Sequence, residues 1–224
     1  MTKVIRGIGW TLISVGVLIL LYLVYLMFFT TLTTDRAQRS LLEEWELNYG
    51  AVEDGVPVEG GEEPGDEADE PVDAGDAYAV IWFERPSTGE RIVTDEPLFV
   101  VEGVTLDHLR SGPGHYPDTA APGADGNFAV SGHRTTYGAP FYDLDELEPG
   151  DEVHVVDREG ARWVYEVEEE RIVTPQDVWV VGEDPLGTGE PTLTLTTCHP
   201  RFSASQRLIV WATLRPDAAE DVAA

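Results

Sequence analysis

The feature that most constrains the fold is a long stretch without charged residues near the N-terminus. No residue between Arg6 and Asp35 carries a charge, and residues 8–32 are mainly Leu, Ile, Val, Tyr and Phe. A helix that crosses a bilayer needs about 20 apolar residues, so this stretch is long enough. Lys3 and Arg6 precede it without an acidic neighbour, and the positive-inside rule therefore predicts a cytoplasmic N-terminus.

A cleaved signal peptide is the alternative to a retained anchor. The apolar run is longer than the usual hydrophobic region of a signal peptide, and it ends in Phe-Phe-Thr-Thr-Leu without a small-x-small cleavage pattern. We therefore predict a single-pass membrane anchor within residues 1–33. The rest of the chain is then expected to lie outside the cell.

The residues that follow the anchor have the pattern of a short amphipathic helix. Over residues 34–49, the apolar positions are Leu41, Leu42, Trp45 and Leu47. We predict a membrane-proximal helix here, which continues the membrane helix outward.

An acidic segment comes next. Residues 50–76 hold eleven Asp or Glu and no Lys or Arg, together with many Gly and Pro. Such a composition buries too little apolar surface to offset the entropy cost of folding. We predict a disordered stalk over residues 50–77, which lifts the following domain off the membrane, and a disordered acidic tail over residues 217–224.

The net charge limits the partners. It is −28, from 42 acidic and 14 basic residues. A chain of this charge repels the phosphate backbone of nucleic acids and anionic headgroups at long range. We therefore expect no nucleic-acid partner.

From Tyr78 onward the pattern changes to short apolar or alternating runs between Gly, Pro and Asp. The candidate strands are 78–84, 98–101, 127–131, 152–156, 161–173, 178–181, 192–197 and 208–214. Seven or eight short strands predict an all-β barrel or sandwich. Helical turns are predicted at 105–110 and 142–147. The Gly- and Pro-rich residues 111–126 predict a long loop, where binding sites are usually carried.

The chain has one cysteine, Cys198. An internal disulfide and a zinc site built on several cysteines are therefore both excluded. By count alone, a buried and unreactive thiol is the ordinary interpretation. A catalytic thiolate would need a histidine and a group that stabilises an oxyanion. Thr196 and Thr197 could add hydroxyl or backbone contacts, although threonine is also a good strand residue.

Among the five histidines, His133 is the best candidate partner. It follows a glycine at the end of strand 127–131, a rim position from which an imidazole can reach another strand. His199 adjoins Cys198, but neighbouring side chains of a strand point to opposite faces. Structural or surface roles are expected for the other three, His108, His115 and His154.

Two arginines follow Cys198. A hairpin between strands 192–197 and 208–214 would bring Arg207 close to the cysteine. A guanidinium is always charged and presents several donors in a rigid fork, so it can bind an oxyanion. Arg201 is a competitor, and a surface salt bridge is the ordinary alternative for either residue.

This set of residues resembles the sortases, the membrane-anchored cysteine transpeptidases of Gram-positive bacteria. The signature Thr-Leu-x-Thr-Cys stands at residues 194–198, with the family's arginine at Arg207 and its histidine at His133. Three longer blocks are similar to the class E enzymes of actinobacteria, namely residues 119–123, 126–134 and 197–200.

The resemblance implies an all-β fold, an eight-stranded sortase-type barrel with short helices over residues 78–216. It implies that Cys198 attacks the Thr-Gly bond of a sorting signal near a substrate's C-terminus and forms a thioester, which an amine then resolves. His133 would protonate the leaving amine, and Arg207 would bind the oxyanion. The enzyme would sit in the cell membrane with its catalytic domain outside.

The implied partners are surface proteins with a sorting signal and an amine of a peptidoglycan precursor or a pilin. Class E sortases favour Leu-Ala-x-Thr-Gly over Leu-Pro-x-Thr-Gly, and Tyr116 is the matching selector. A loop aromatic packed over the barrel rim is the alternative for this tyrosine. We expect a monomer with no metal or other cofactor. Modulation by calcium at residues 173–191 is left open, because scattered acids are usually solvated surface.

Two other functions remain as alternatives. A pilus-assembly sortase would use a pilin lysine as the nucleophile, but such enzymes often carry a second apolar segment near the C-terminus, and residues 217–224 are not one. A non-catalytic, membrane-anchored β module would leave Cys198 buried and inert.

Overall fold

The computed structural model describes residues 2–53, 56–57 and 72–216. The predicted disorder of the stalk and of the tail falls mostly on residues 54–55, 58–71 and 217–224, which lie outside the described residues. Within the described part of the stalk, Val52–Glu53 and Val56–Pro57 form short paired strands, so the prediction of disorder is wrong there. The elements, in chain order, are α1 (Thr2–Asn48), β1 (Val52–Glu53), β2 (Val56–Pro57), β3 (Ala77–Arg85), β4 (Glu90–Arg91), β5 (Leu98–Glu102), β6 (Gly114–His115), β7 (Asn127–Ser131), β8 (Glu152–Val156), β9 (Arg162–Val173), β10 (Thr192–His199) and β11 (Gln206–Leu214). Short 3-10 helices lie at His108–Arg110, Leu144–Glu146 and Val178–Val181.

Eight of these strands close into a barrel. Their order is β3-β5-β6-β7-β10-β11-β9-β8, and β8 pairs back onto β3. The pairs β5–β6 and β7–β10 are parallel, and the other pairs in the barrel are antiparallel. β4 adds a two-residue pairing beside the end of β3. The predicted eight-stranded barrel is confirmed.

Alternation along each strand separates the barrel core from its outer face. On β10, Leu193 and Leu195 are fully buried in the core, so Thr194, Thr196 and Cys198 face outward. The largest core side chains come from several parts of the chain: Phe83, Phe128, Phe141 and Tyr165. The same alternation on β11 sends Leu208, Val210 and Ala212 inward.

The prediction of a strand at 178–181 is wrong, because these residues form a 3-10 helix on the outside of the barrel. The Val180 carbonyl accepts hydrogen bonds from Trp211 Nε1 (3.1 Å) and Thr194 Oγ1 (3.3 Å). Val180 also packs against Ile209 and Trp211 of the outer face. Residues 178–181 are therefore apolar because they pack on the outer face of the sheet, not because they form one of its strands.

Two differences concern short elements. β4 and β6 have two residues each, too few for a recognisable alternating pattern, and β6 falls inside the predicted long loop. The helical turns predicted at 105–110 and 142–147 are present as shorter 3-10 helices, His108–Arg110 and Leu144–Glu146.

The anchor and the membrane-proximal helix are parts of one continuous helix, α1. It is long and apolar enough to cross a membrane. Its outer part packs on the barrel through Leu41 and Trp45, which are buried against β3 and β5. Because the barrel contacts α1 directly, the predicted role of residues 50–77 as a spacer between the membrane helix and the domain does not hold. Leu42 packs at the edge of this contact, but Leu47 is 84% exposed, so its predicted place on the apolar face is wrong.

Candidate active site

Cys198 lies near the end of β10 and pairs with Arg207 of β11. Side chains directly opposite each other in an antiparallel pair lie on the same face. Leu195 and Leu208 point into the core, so Cys198 and Arg207 both lie on the outer face. The thiol is free and partly exposed. The structure thus brings the cysteine and this arginine together, as the predicted hairpin requires.

His133 reaches the other side of Cys198 through the parallel pairing of β7 with β10. Ser131 pairs with Thr196, and the next residue, Gly132, donates its N–H to the Thr196 carbonyl at 3.0 Å. Two residues beyond the Ser131–Thr196 pair along each chain, the parallel register brings His133 to the level of Cys198. The histidine, cysteine and arginine therefore occupy one level across three neighbouring segments of the barrel.

The His133 imidazole is half-buried and poorly partnered. Its ring centroid lies 4.9 Å from that of Tyr137. Within the described part of the chain, its buried Nε2 has no hydrogen-bond partner. Burial lowers the pKa of His133 below its ordinary value, and the nearby Arg110 guanidinium lowers it further. Both effects favour the neutral imidazole and make the imidazolium a stronger acid than that of an exposed histidine.

The two candidate arginines differ in how their charge is used. Arg201 Nη2 lies 3.0 Å from Asp143 Oδ1 and 2.8 Å from Asp145 Oδ1. Arg207 instead donates from Nη1 to the carbonyl oxygens of Ala204 and Gln206, at 3.0 and 2.9 Å. Among the described residues, Arg207 forms no salt bridge. Its positive charge is therefore the one available beside Cys198.

Tyr116 and Thr196 lie on the outer face next to the cysteine. The Tyr116 hydroxyl is 3.3 Å from Thr196 Oγ1. Thr196 is two residues before Cys198, so the two side chains share one face of β10. A peptide that lies over Cys198 toward Thr196 would meet the tyrosine.

Thr197 has a different position from the one expected of a substrate contact. It is buried, and its hydroxyl donates to the Gly132 carbonyl at 2.8 Å. Thr197 thus holds the segment that carries His133 onto β10. This is a supporting contact, made on the opposite face of the strand from Cys198.

The other histidines lie apart from the thiol or face away from it. His199 is the next residue of β10 and pairs with Gln206. His115 is buried between Glu102 and Thr119, and His154 stacks on Trp82 with ring centroids 5.0 Å apart.

Two further residues, Arg110 and Tyr137, lie beside His133 and were not predicted from the sequence. The Arg110 Cζ atom is 5.6 Å from the Tyr137 ring centroid. Arg110 ends the 3-10 helix His108–Arg110, and Tyr137 lies in the segment after β7. No local pattern of the sequence indicates that they meet.

Comparison with known proteins identifies the family. Residues 91–215 match the family model of the sortase domain. Sortase SrtE1 of Streptomyces coelicolor is 30% identical over 225 residues, which cover 93% of this chain and 56% of the relative. Sortase SrtE2 of the same organism is 28% identical over 226 residues, 95% of this chain and 82% of the relative. The chain therefore spans little more than half the length of SrtE1.

Solved structures show the same fold. A Sortase D5 transpeptidase of Clostridium perfringens matches with a TM-score of 0.61 and 29% identity, over 80% of this chain and 99% of that one. Sortase E of Streptomyces avermitilis matches with a TM-score of 0.53 and 37% identity, over 66% and 99%. The family match covers more than half of the sequence and includes the thiol, the imidazole and the guanidinium, so the chain belongs to the sortase family and is class E-like.

Proposed function

We propose that this chain is a cysteine transpeptidase that cleaves a sorting signal between Thr and Gly and transfers the protein to an amine. The observation that carries the proposal is the single level, on the outer face of the barrel, at which Cys198, His133 and Arg207 lie. Acyl transfer by a thiol uses a nucleophile, an acid–base group and a group that stabilises the oxyanion, and Arg207 can serve as the third.

In the first half of the reaction, Cys198 attacks the carbonyl carbon of the substrate threonine. The thiol proton passes to His133, and the new C–S bond leaves a negative charge on the carbonyl oxygen. Arg207 stabilises that oxyanion. The C–N bond then breaks, the glycine amine leaves with the proton from His133, and a thioester remains on Cys198.

The low pKa of His133 suits the leaving step. A buried imidazolium beside Arg110 gives up its proton readily, which favours protonation of the departing amine. The same burial makes the imidazolium a minority species at neutral pH. We therefore propose that only a small fraction of the molecules holds the Cys198 thiolate and the His133 imidazolium together before each turnover.

In the second half, an amine attacks the thioester carbonyl. A new amide bond forms, the C–S bond breaks, and the proton of the amine returns through His133 to the Cys198 sulfur. Water in place of the amine would give hydrolysis. No step of this sequence calls for a metal or another cofactor.

We also propose that Tyr116 helps to select Leu-Ala-x-Thr-Gly. Its contact with Thr196 places the ring over the strand that leads to Cys198. A peptide extending from Cys198 along β10 would present the residues before its threonine to this ring. Tyr116 lies in the loop before the class E-like blocks 119–123 and 126–134, which supports the same assignment.

The proposed setting is a membrane. Lys3 and Arg6 precede the apolar part of α1, which supports a cytoplasmic N-terminus and an extracellular barrel. The substrates would then be surface proteins with a sorting signal, and the acceptor an amine of the cell wall. The chain is proposed to act as a monomer.

The test is ligation by the full chain in detergent. It is incubated with a Leu-Ala-x-Thr-Gly peptide and a glycine-based amine, and the products are identified by mass spectrometry. We expect a ligated product and, when the amine is omitted, an acyl adduct on Cys198. Cys198→Ala should abolish both.

Arg207→Gln and Arg201→Gln form a matched pair. We expect the first to lose about 100- to 1,000-fold in kcat/KM, as for loss of an oxyanion donor, and the second to keep most of its activity. No adduct on Cys198 with either Leu-Ala-x-Thr-Gly or Leu-Pro-x-Thr-Gly would refute the proposal. Preference for a lysine side chain over a glycine amine would indicate pilus assembly instead.

A further inference from the structure

We infer that α1 holds the active-site end of the barrel against the membrane that this helix crosses, so that the catalytic groove opens at the lipid headgroups. The inference rests on the proposed membrane anchor. It starts from the packing of α1 on the barrel.

The outer part of α1 is hydrogen-bonded to the barrel at its first turns. Thr34 Oγ1 donates to the Arg110 carbonyl at 2.8 Å. The Gln38 amide accepts from the Phe99 N–H (2.9 Å) and donates to the carbonyls of Phe99 (3.0 Å) and Ser111 (2.8 Å). The helix is thus fixed to the backbone of strand β5 and of one further segment, the end of the 3-10 helix His108–Arg110 with Ser111.

Apolar contacts continue this attachment down the helix. Thr34, Gln38, Leu41 and Trp45 follow a spacing of four, three and four residues, which is one face of a helix. Leu41 and Trp45 are buried. The stretch from Thr34 to Trp45 covers about 17 Å of helix axis at 1.5 Å per residue. A contact of this length fixes the orientation of the barrel relative to the helix.

The strand pairing shows which end of the barrel lies at the membrane side of this contact. Along α1, Gln38 contacts Phe99 near the start of β5, and Glu44 accepts from the Ala77 N–H, opposite the end of β5. β6 runs parallel to β5, and its first residue, Gly114, pairs with Ser131 at the end of β7. β7 therefore runs opposite to β5, and β10 runs parallel to β7. The end of β10, which carries Cys198, thus lies at the end of the barrel where β5 starts.

Side-chain contacts connect the membrane side of α1 to the catalytic histidine. A Cβ on Gly138 would lie 3.2 Å from Thr34 Cγ2, so the two residues are in close contact. Next to Gly138, the Tyr137 ring lies between Arg110 and His133, 5.6 Å and 4.9 Å away. Only two residues separate the helix from the catalytic imidazole.

The depth follows from helix geometry. Thr34 is two residues after Leu32, the last of the apolar run, which is about 3 Å along the axis. The headgroup region adds about 5 to 7 Å on each side of the hydrocarbon core. With Leu32 at the edge of the hydrocarbon core, Thr34 and the barrel surface that contacts it lie within that region.

The surface at this end suits lipid contact. Phe202, on the loop between β10 and β11 and four residues after Cys198, is 77% exposed. Arg36 and Arg39 on α1 are exposed as well. The net charge of −28 would otherwise keep the barrel away from an anionic membrane, so a rigid attachment has a clear physical role.

Fluorescence quenching tests the orientation directly. The full chain with Cys198→Ala has no other thiol, so Phe202→Cys accepts a fluorophore at the active-site end and Glu159→Cys accepts one in the turn between β8 and β9, at the opposite end. Each protein is reconstituted in phosphatidylcholine vesicles with a nitroxide on the lipid headgroup. We expect most of the fluorescence at position 202 to be lost and most of that at position 159 to remain.

The matched control inserts a flexible Gly-Ser segment of about ten residues between Thr33 and Thr34. The barrel then keeps its contacts with the outer part of α1 but is uncoupled from the membrane helix. Quenching at position 202 should fall to the level at position 159. Equal quenching at both positions in the uninserted protein, or no effect of the insertion, would overturn the inference. Because these proteins lack Cys198, the result does not depend on the proposed reaction.

Discussion

Two histidines, the buried His115 and the half-buried His133, show how differently the same side chain can be used within one barrel. His115 Nδ1 lies 2.6 Å from Glu102 Oε2, its Nε2 lies 3.1 Å from Thr119 Oγ1, and its ring stacks on Tyr78 at 4.2 Å. His133 has a buried Nε2 without a partner among the described residues. The difference is in the partners: a ring fixed at both nitrogens is structural, whereas an unpartnered nitrogen beside a thiol can exchange a proton.

The partners of His115 hold the segment that carries Tyr116, the proposed selector of the substrate. Thr119 Oγ1 donates to the Tyr116 carbonyl at 2.8 Å and accepts from the Ala129 N–H at 3.2 Å. Glu102, His115 and Thr119 therefore hold the backbone on either side of Tyr116. The proposed selector depends on a histidine that takes no part in the chemistry.

The largest expected effect comes from His133→Ala. We predict a loss of about 1,000-fold in kcat/KM with a glycine-based amine, because both proton transfers lose their carrier. The melting temperature should change little, since the side chain is only half-buried and its Nε2 is already unpartnered. Activity within tenfold of the parent would contradict the assignment.

His115→Ala should act on stability instead. It leaves the Glu102 carboxylate, whose side chain is 12% exposed, without its partner. We expect the free energy of unfolding to fall by about 2 to 4 kcal/mol, measured by urea denaturation. Activity per folded molecule should be largely kept below the transition. Loss of activity in His115→Ala without loss of stability would contradict the purely structural role of His115.

A third buried histidine, His154, should make stability depend on pH. Burial lowers the pKa of His154 to about 4, against about 6.5 in the unfolded chain. The unfolded state therefore binds more protons between these values, and stability is lost as pH falls from about 6.5 to 4, by on the order of 2 to 3 kcal/mol.

The measurement compares parent and His154→Gln by urea denaturation at pH 7.5 and pH 4.5. The comparison is needed because burial also raises the pKa of Asp157 to about 6, which adds stability as pH falls below 6. Asp157 contributes equally to both proteins. The parent should lose more stability than the variant between pH 7.5 and pH 4.5. An equal loss would mean that His154 binds a proton as readily in the folded protein as in the unfolded chain.

The smallest effect is expected for Arg110→Gln. Removing this cation should raise the pKa of His133 by a fraction of a unit, because burial, the larger cause, remains. Histidine chemical shifts followed across pH by NMR give the value, with Arg171→Gln, an exposed arginine on β9, as the control. No shift in Arg110→Gln would mean that burial alone sets the pKa.

Local patterns predicted the barrel strands well and the contacts between distant segments poorly. The strands 127–131 and 152–156 were predicted with the bounds that the structure gives. Their alternating runs are long enough to show which face is buried. The run at 178–181 has no such alternation, and its place was decided by Trp211 of another strand.

The candidate site divides in the same way. The hairpin that pairs Cys198 with Arg207 is local, so turn position and strand ends were sufficient to predict it. The Tyr137–Arg110 contact and the docking of Thr34 and Gln38 join residues from separate parts of the chain. Hydrogen bonds between a helix and strand or loop backbone leave no periodic signal in the sequence.

The position of the β10–β11 hairpin has a consequence for biosynthesis. It inserts between β7 and β9, which come earlier in the chain. A nascent chain that stops before β10 therefore exposes two unpaired strand edges, the kind of surface that promotes aggregation. Cys198 and Arg207 both belong to this last hairpin. A chain that ends before β10 therefore lacks both the thiol and the two strands that complete the barrel, and it should have no activity.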